Sequence, residues 1–168
     1  TTLKERGYVT ITQQDILDYY QKGKTLPAKS LFLMFEDGRR DTAIFSQKIL
    51  EKDNFIATCM TYPEKFDNKD TKFLMPDELK KLQGTTFWEM GTNGYRLYFI
   101  NVFDRYNNYL GNMGPLEHSM VQGTLGRKYN HYLMDYIRDE QQYPLESYQV
   151  MKPRVDYDYE RLRDIYTS

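Results

Sequence analysis

An excess of charge of one sign is the first thing this sequence lacks. Its 168 residues carry 23 basic against 24 acidic side chains, a formal net charge of -1. That leaves no electrostatic footprint for nucleic acid or an anionic membrane surface, and a nucleic-acid partner is excluded on this ground. Long apolar runs are also missing. No stretch approaches the roughly 18 residues needed to cross a bilayer, and no transmembrane segment is expected. The chain opens at Thr1 without a methionine, a basic n-region or an apolar h-region, so it is expected to be a processed chain or a piece of a longer protein, with neighbouring domains. Cysteine occurs once. Cys59 sits in the apolar run Phe55-Ile56-Ala57-Thr58-Cys59-Met60 and is expected to be a small buried core residue, not a nucleophile. Histidine occurs twice, as His118 and His131. Repeats and low-complexity stretches are absent.

What is present suits one core. Forty per cent apolar content over 168 residues is enough for one domain and too little for two ordinary ones, so residues 1–168 are expected to form a single domain. Aromatic residues make up 15% of the chain, 16 of them tyrosine. Sugar-binding clefts favour such rings, which offer apolar area with a polar tip, but the helical spacing of most of these tyrosines points to core or half-buried positions.

The chain is organised around Leu31-Phe32-Leu33-Met34-Phe35-Glu36-Asp37-Gly38. Five consecutive apolar residues predict an interior strand of a parallel sheet, buried on both faces. The strand runs into two carboxylates and a glycine, at the end where α/β sheets and barrels place their chemistry. Residues 41–52 predict an amphipathic helix with Ala43, Ile44, Ile49 and Leu50 on its packed side, and residues 55–61 predict the next buried strand. Upstream, Tyr8-Val9-Thr10-Ile11 predicts a short strand, with Thr12 and Asp15 opening a helix through Tyr20. Downstream, residues 62–73 read as a surface excursion; Asp67, Asn68 and Asp70 lack the alternation and closing glutamate of a calcium loop. Pro76 opens a helix over 77–81, and residues 85–91 predict the third strand.

This pattern resembles the polysaccharide deacetylases, carbohydrate esterases built on a distorted, incomplete (β/α) barrel. The family's first motif, a buried strand running into Thr-Phe-Asp-Asp-Gly, is matched here by Met34-Phe35-Glu36-Asp37-Gly38. The lead-in through Gly7 to Thr12, the Leu26-Pro27-Ala28-Lys29-Ser30 entry, the strand after Asn54, and Leu74-Met75-Pro76-Asp77-Glu78-Leu79 followed by Glu89-Met90-Gly91-Thr92-Asn93 are similar in order and spacing. The resemblance covers roughly the first hundred residues. It implies an α/β fold with parallel strands near 31–36, 55–61 and 86–91, and a glycan or peptidoglycan-like carbohydrate as partner. It also implies an extracytoplasmic or cell-envelope location.

The departures from the family fall on its chemistry. The resemblance assigns the base position to Glu36, one methylene longer than the family's aspartate, and the metal position to Asp37. Asn93 and Leu97 then stand where two metal-binding histidines belong. A catalytic zinc site needs about three protein ligands and an open position, so no cofactor is expected, and both standard N-deacetylase activity and its metal are expected to be lost. Arg39, Asn93, Tyr95 and Arg96 are the candidate substrate-binding residues, with Asn93, Tyr95 and Arg96 delivered to the same sheet edge as Glu36 and Asp37. An acidic strand end neutralised by Arg39 or Arg40 is the plain structural alternative.

Beyond residue 100 the pattern diverges into a turn-rich, irregular stretch, followed by a predicted helix over 128–140 and another over 157–166. On the first of these helices His131, Asp135 and Asp139 would share a solvated face, and His118 is expected at the surface. The family's later motifs have no counterpart before residue 168, so the barrel is expected to be truncated. Three functions follow: a catalytically silent, glycan-binding deacetylase-like domain; an active zinc-dependent hydrolase with Glu36 as base and ligands from His118, His131 or elsewhere; or an interaction module of a larger envelope protein. Adjacent strand residues point to opposite sides, which argues against Glu36 and Asp37 as a glycosidase pair.

Overall fold

The structure is a computed structural model that describes residues 1–126 and 129–167. Contacts divide the chain into two compact units, residues 1–93 and the residues from Gly94 onward.

In the first unit, parallel strands alternate with helices, as in an incomplete (β/α) barrel. After a short helical turn, α1 (Thr2–Glu5), come β1 (Val9–Thr10), α2 (Gln13–Lys22), β2 (Ser30–Leu31), β3 (Met34–Phe35), α3 (Arg40–Asp53), β4 (Ala57–Thr61), the turn α4 (Glu64–Asp67), α5 (Pro76–Gln83) and β5 (Trp88–Thr92). β1 pairs with β2, and β4 lies between β3 and β5, all in parallel. Helix α2 begins in a capping box: Thr12 accepts from the Asp15 N–H and the Asp15 carboxylate accepts from the Thr12 N–H at 2.9 Å. It ends on Gly23, whose φ of 66° suits a left-handed cap. Pro76 takes the first position of α5, where its missing N–H costs nothing.

The core of this unit gathers Ala43, Leu50, Phe55, Ala57, Cys59, Leu74, Leu79 and Trp88. Trp88 packs against Phe35 at 5.4 Å between ring centroids and donates its indole N–H to Gln47. Cys59 is buried as expected, and desolvation pushes its thiol up to about 11.

The run 31–35 is not one interior strand: Leu31 pairs with β1, while Met34 and Phe35 form an edge strand on β4, with Met34 48% exposed. Of the four α3 residues expected on the packed side, Ala43 and Leu50 face inward, whereas Ile44 and Ile49 are 60% and 50% exposed.

The second unit is not irregular. It holds β6 (Phe99–Phe103), β7 (Tyr109–Met113), α6 (Pro115–Val121), a 3-10 turn at Gln122–Thr124, β8 (Asn130–His131) and α7 (Tyr148–Thr167). β6 lies between β7 and β8, antiparallel to both. The register with β7 shifts around Val102, and the buried Asn101 adopts a φ of 56°. Asn101 accepts from the Arg138 N–H at 2.9 Å and donates to the Tyr136 carbonyl at 2.9 Å, so the irregularity keeps its polar groups satisfied.

The helix expected over 128–140 does not form over 129–140; Lys128 lies outside the described residues. Residues 130–131 are strand and those that follow are turns and bends. The second expected helix exists but starts earlier, at Tyr148, and carries Pro153 inside it. Most of the tyrosines are exposed, among them Tyr20, Tyr106, Tyr143, Tyr157 and Tyr159, so the expectation of core or half-buried rings fails for the majority.

The two faces of α3 generate a direct contrast. Leu50→Ala is expected to destabilise the fold by about 3 kcal/mol by leaving a cavity, whereas Ile44→Ser should change stability by less than about 0.5 kcal/mol. Chemical denaturation of both variants checks this, and equal losses would contradict the orientation of α3.

Candidate functional site

Parallel pairing brings the C-terminal ends of β3, β4 and β5 to one edge of the sheet. At the end of β3, Glu36 is exposed and Asp37 is half-buried in a tight turn with Gly38, at φ values of 68° and 62°. Glycine is required at 38 for two reasons. The left-handed backbone disfavours a side chain, and an added Cβ would lie 2.8 Å from Thr61 Cγ2. Asp37, with a side chain, holds the same left-handed conformation, a sparsely populated state that clusters at functional turns. The Gly38 carbonyl accepts from the Leu74 N–H at 2.9 Å, which ties the turn to the approach of α5.

At the ends of β4 and β5, Thr61 is the common acceptor. Its carbonyl takes the Asn93 N–H at 3.0 Å and the Thr92 hydroxyl at 3.3 Å. Next along the chain, Tyr62 is buried, and the Asn93 side chain lies near enough to act on its hydroxyl. Burial, then the charges of Asp37 and Glu36, push its phenol up to about 12, against the opposing pull of Asn93. Glu36, Asp37, Tyr62 and Asn93 therefore form one cluster. Tyr62 is the member that sequence reading missed. The available signal was its position, first after a buried strand and, one step beyond the Thr61–Thr92 pair, in register with Asn93.

The arginines beside this edge are engaged first by other carboxylates. Arg39 holds Asp41 through Nε at 3.1 Å and Nη2 at 2.6 Å, which raises its pKa, with a smaller contribution from Asp37. Arg40 bonds Glu78 at 2.9 Å and the Thr71 carbonyl. Both line a shallow depression of about 260 Å³ with Asp41, Ile44, Thr71 and Lys72.

Tyr95, Arg96 and Leu97 belong to the second unit. Tyr95 is buried and Leu97 half-buried. Arg96 pairs with the buried Asp158 at 3.2 Å and donates from Nε to the Tyr132 hydroxyl at 3.1 Å. His131 is not on a helix. Its Nδ1 accepts from the Leu133 N–H at 3.3 Å, so Nε2 carries the proton given to the Arg96 carbonyl at 3.0 Å. Burial lowers its pKa. Asp135 pairs with Arg138 at 3.0 Å, and Asp139 caps the turn to Tyr143. His118 is not a surface histidine: it stacks on Phe99 at 3.8 Å between centroids and meets Tyr129 edge-on at 5.1 Å.

A divalent metal does not fit the residues at the sheet edge. Asp37 and Glu36 supply carboxylates and Asn93 a weak amide oxygen, but no imidazole stands among them, and Leu97 has no donor atom. Among the described residues no group of three or more His, Cys, Asp or Glu side chains is placed to hold an ion.

No family model matches the sequence, and no curated protein does. Among solved structures, the chain is similar to a de-N-acetylase from Aggregatibacter actinomycetemcomitans, with 18% identity and a TM-score of 0.66 over 95% of this chain and 57% of that one. It is similar also to the BpsB deacetylase domain from Bordetella bronchiseptica, with 16% identity and a TM-score of 0.66 over 94% of this chain and 57% of that one. IcaB from Ammonifex degensii is matched over 64% of this chain and 46% of that one, with 20% identity and a TM-score of 0.50. The chain thus spans 57% of the length of the first two structures it matches. The fold is deacetylase-like.

The buried phenol generates a pH prediction. A Tyr62 pKa raised from the usual value near 10 to about 12 favours the neutral form in the folded state. Its contribution to stability is present below pH 10 and is lost as pH rises through 12. Wild-type protein should therefore lose stability more steeply over that interval than Tyr62→Phe, as read by denaturant titration at each pH. Parallel slopes would contradict the placement of Tyr62.

Proposed function

We propose that this chain is a deacetylase-like domain that binds a glycan and does not carry out standard metal-dependent N-deacetylation. The observation that carries this reading is the cluster at the sheet edge, where Glu36, Asp37, Tyr62 and Asn93 meet without an imidazole. A fold does not confer a reaction; the site does. What is left after the metal ligands are removed is a polar cluster of acceptors and one phenol, suited to sugar hydroxyls. Glu36 keeps the base position and Asp37 the metal position of the family pattern, with Asn93 as the residue contacting sugar. Arg39 would have to leave Asp41 to join them.

The carbohydrate is a glycan or peptidoglycan-like polymer, and the location extracytoplasmic or at the cell envelope, on the strength of the family resemblance. No helix among the described residues is long and apolar enough to cross a membrane. A second reading, an interaction module attached to neighbouring domains of a longer protein, draws support from the exposed rings of Tyr148, Tyr157, Tyr159 and Tyr166 on α7.

Elemental analysis and acetyl release from chitooligosaccharide test the proposal. Purified protein is expected to carry no stoichiometric zinc and to release no acetate, while a chitooligosaccharide titration perturbs the residues around Asp37 and Asn93. Turnover abolished by Glu36→Gln, with a bound metal, would sink it. Failure to bind any glycan would leave the interaction reading in its place.

A further inference from the structure

A second pocket lies wholly inside the unit that follows Gly94. It encloses about 170 Å³ and is lined by Arg96, Tyr98, Ile100, Tyr132, Ile137 and Arg154. Tyr98 and Tyr132 meet edge to face at 6.2 Å between centroids. The two guanidiniums approach the Tyr132 ring at 5.0 and 5.5 Å.

Charge decides what such a cavity would accept. Arg96 is matched by Asp158 at 3.2 Å and Arg154 by Glu146 at 2.6 Å. Each cation thus carries its own carboxylate, and an entering anion would gain little net attraction while losing its hydration. The donors that remain are polar and not ionic in balance. Arg154 is committed through Nε and Nη2 to Glu146 and through Nη1 and Nη2 to the carbonyls of Tyr132 and Asp135. Among the described residues, Arg96 Nη1 and the Tyr98 hydroxyl have no partner, and Tyr98 is 38% exposed. A volume below the roughly 300 Å³ of ordinary drug-sized sites has room for one small ring and not for an oligomer.

We propose that this pocket is a subsite for a single neutral pyranose, with the sugar's C–H face on the Tyr98 ring and a hydroxyl on Arg96 Nη1. A ring with one apolar face and polar edges matches an aromatic wall beside neutralised donors better than a carboxylate or phosphate does. The choice of a sugar rests on the glycan-binding reading above, but the residues differ from those at the sheet edge.

Nuclear magnetic resonance titration of the full chain with methyl β-D-glucopyranoside, and separately with sodium glucuronate, tests it. The neutral sugar should give saturable shifts in residues 96–100 and 132–137. Tyr98→Ala should weaken binding roughly tenfold, and the conservative Tyr98→Phe, which keeps the ring, should weaken it less. Asp37→Asn should leave it unchanged. Absence of saturable shifts, equal affinity in both Tyr98 variants and wild type, or tighter binding of glucuronate would overturn the proposal. Shifts confined to residues around Asp37 and Asn93 would reject this subsite while leaving the glycan-binding reading in place. Shifts confined to the pocket, with a chitooligosaccharide leaving Asp37 and Asn93 untouched, would support the subsite and reject the sheet edge.

Discussion

A strand paired in parallel on both sides must place its neighbours' ends where its own end lies, and β4 imposes that constraint on the first unit. Met34 and Phe35 register with Thr58 and Cys59, and the five residues Ala57–Thr61 register with Trp88–Thr92. Glu36, Tyr62 and Asn93 therefore follow three adjacent strands and open on one edge, whatever their chemistry. Burial of Ala57, Cys59 and Thr61 holds β4 in place, and the Thr61 carbonyl, by accepting from Asn93 and Thr92, fixes the end of β5 against the end of β4. The acidic turn is held by the same strand: Gly38 rests on Thr61, so the left-handed backbone at Asp37 is backed by a packed residue.

In the second unit the comparable role falls to arginine. Arg154, on α7, reaches the carbonyls of Tyr132 and Asp135 and the carboxylate of Glu146, while the buried Asp158 on the same helix takes Arg96. These bonds tie the long helix to the strap 132–146 and to the entry of β6. Removing one member of such a pair leaves the other's charge buried and uncompensated, so the contacts specify position more than they add stability.

What was legible in the sequence was local chemistry. Thr12, Asp15 and Gly23 delimit α2 because caps and a left-handed stop act within a few residues. Pro76 does the same at the start of α5. The parallel strands were placed correctly because β4 is a continuous buried run. The run 31–35 misled because five apolar residues can serve two different short pairings, Leu31 with β1 and Met34-Phe35 with β4, without being buried on both faces. The helix expected over 128–140 failed for a different reason. Its apolar spacing is real, but Asp135 accepts from the Tyr136 N–H and Asp139 from the N–H groups of Gln141 and Tyr143. Such side chains offer the backbone local partners that compete with a helix. β6 was hidden by Asn101, a polar residue at the centre of an apolar strand whose partners, Tyr136 and Arg138, lie far along the chain.

The site was legible at its acids and not at its phenol. Glu36, Asp37 and Asn93 carry a motif, whereas Tyr62 gains its meaning only from the sheet. Its raised pKa records its burial first, and then the charges of Asp37 and Glu36. In a metal-dependent site such charges are offset by a cation; here Arg39 and Arg40 are held by Asp41 and Glu78. Carboxylates are hydrogen-bond acceptors, and the proposed glycan reading rests on such an edge favouring ligands that bring donors. A polyhydroxylated sugar supplies such donors without charge. On the proposed reading, an asparagine at 93 offers no imidazole to a metal, while the same edge keeps acceptors for sugar hydroxyls.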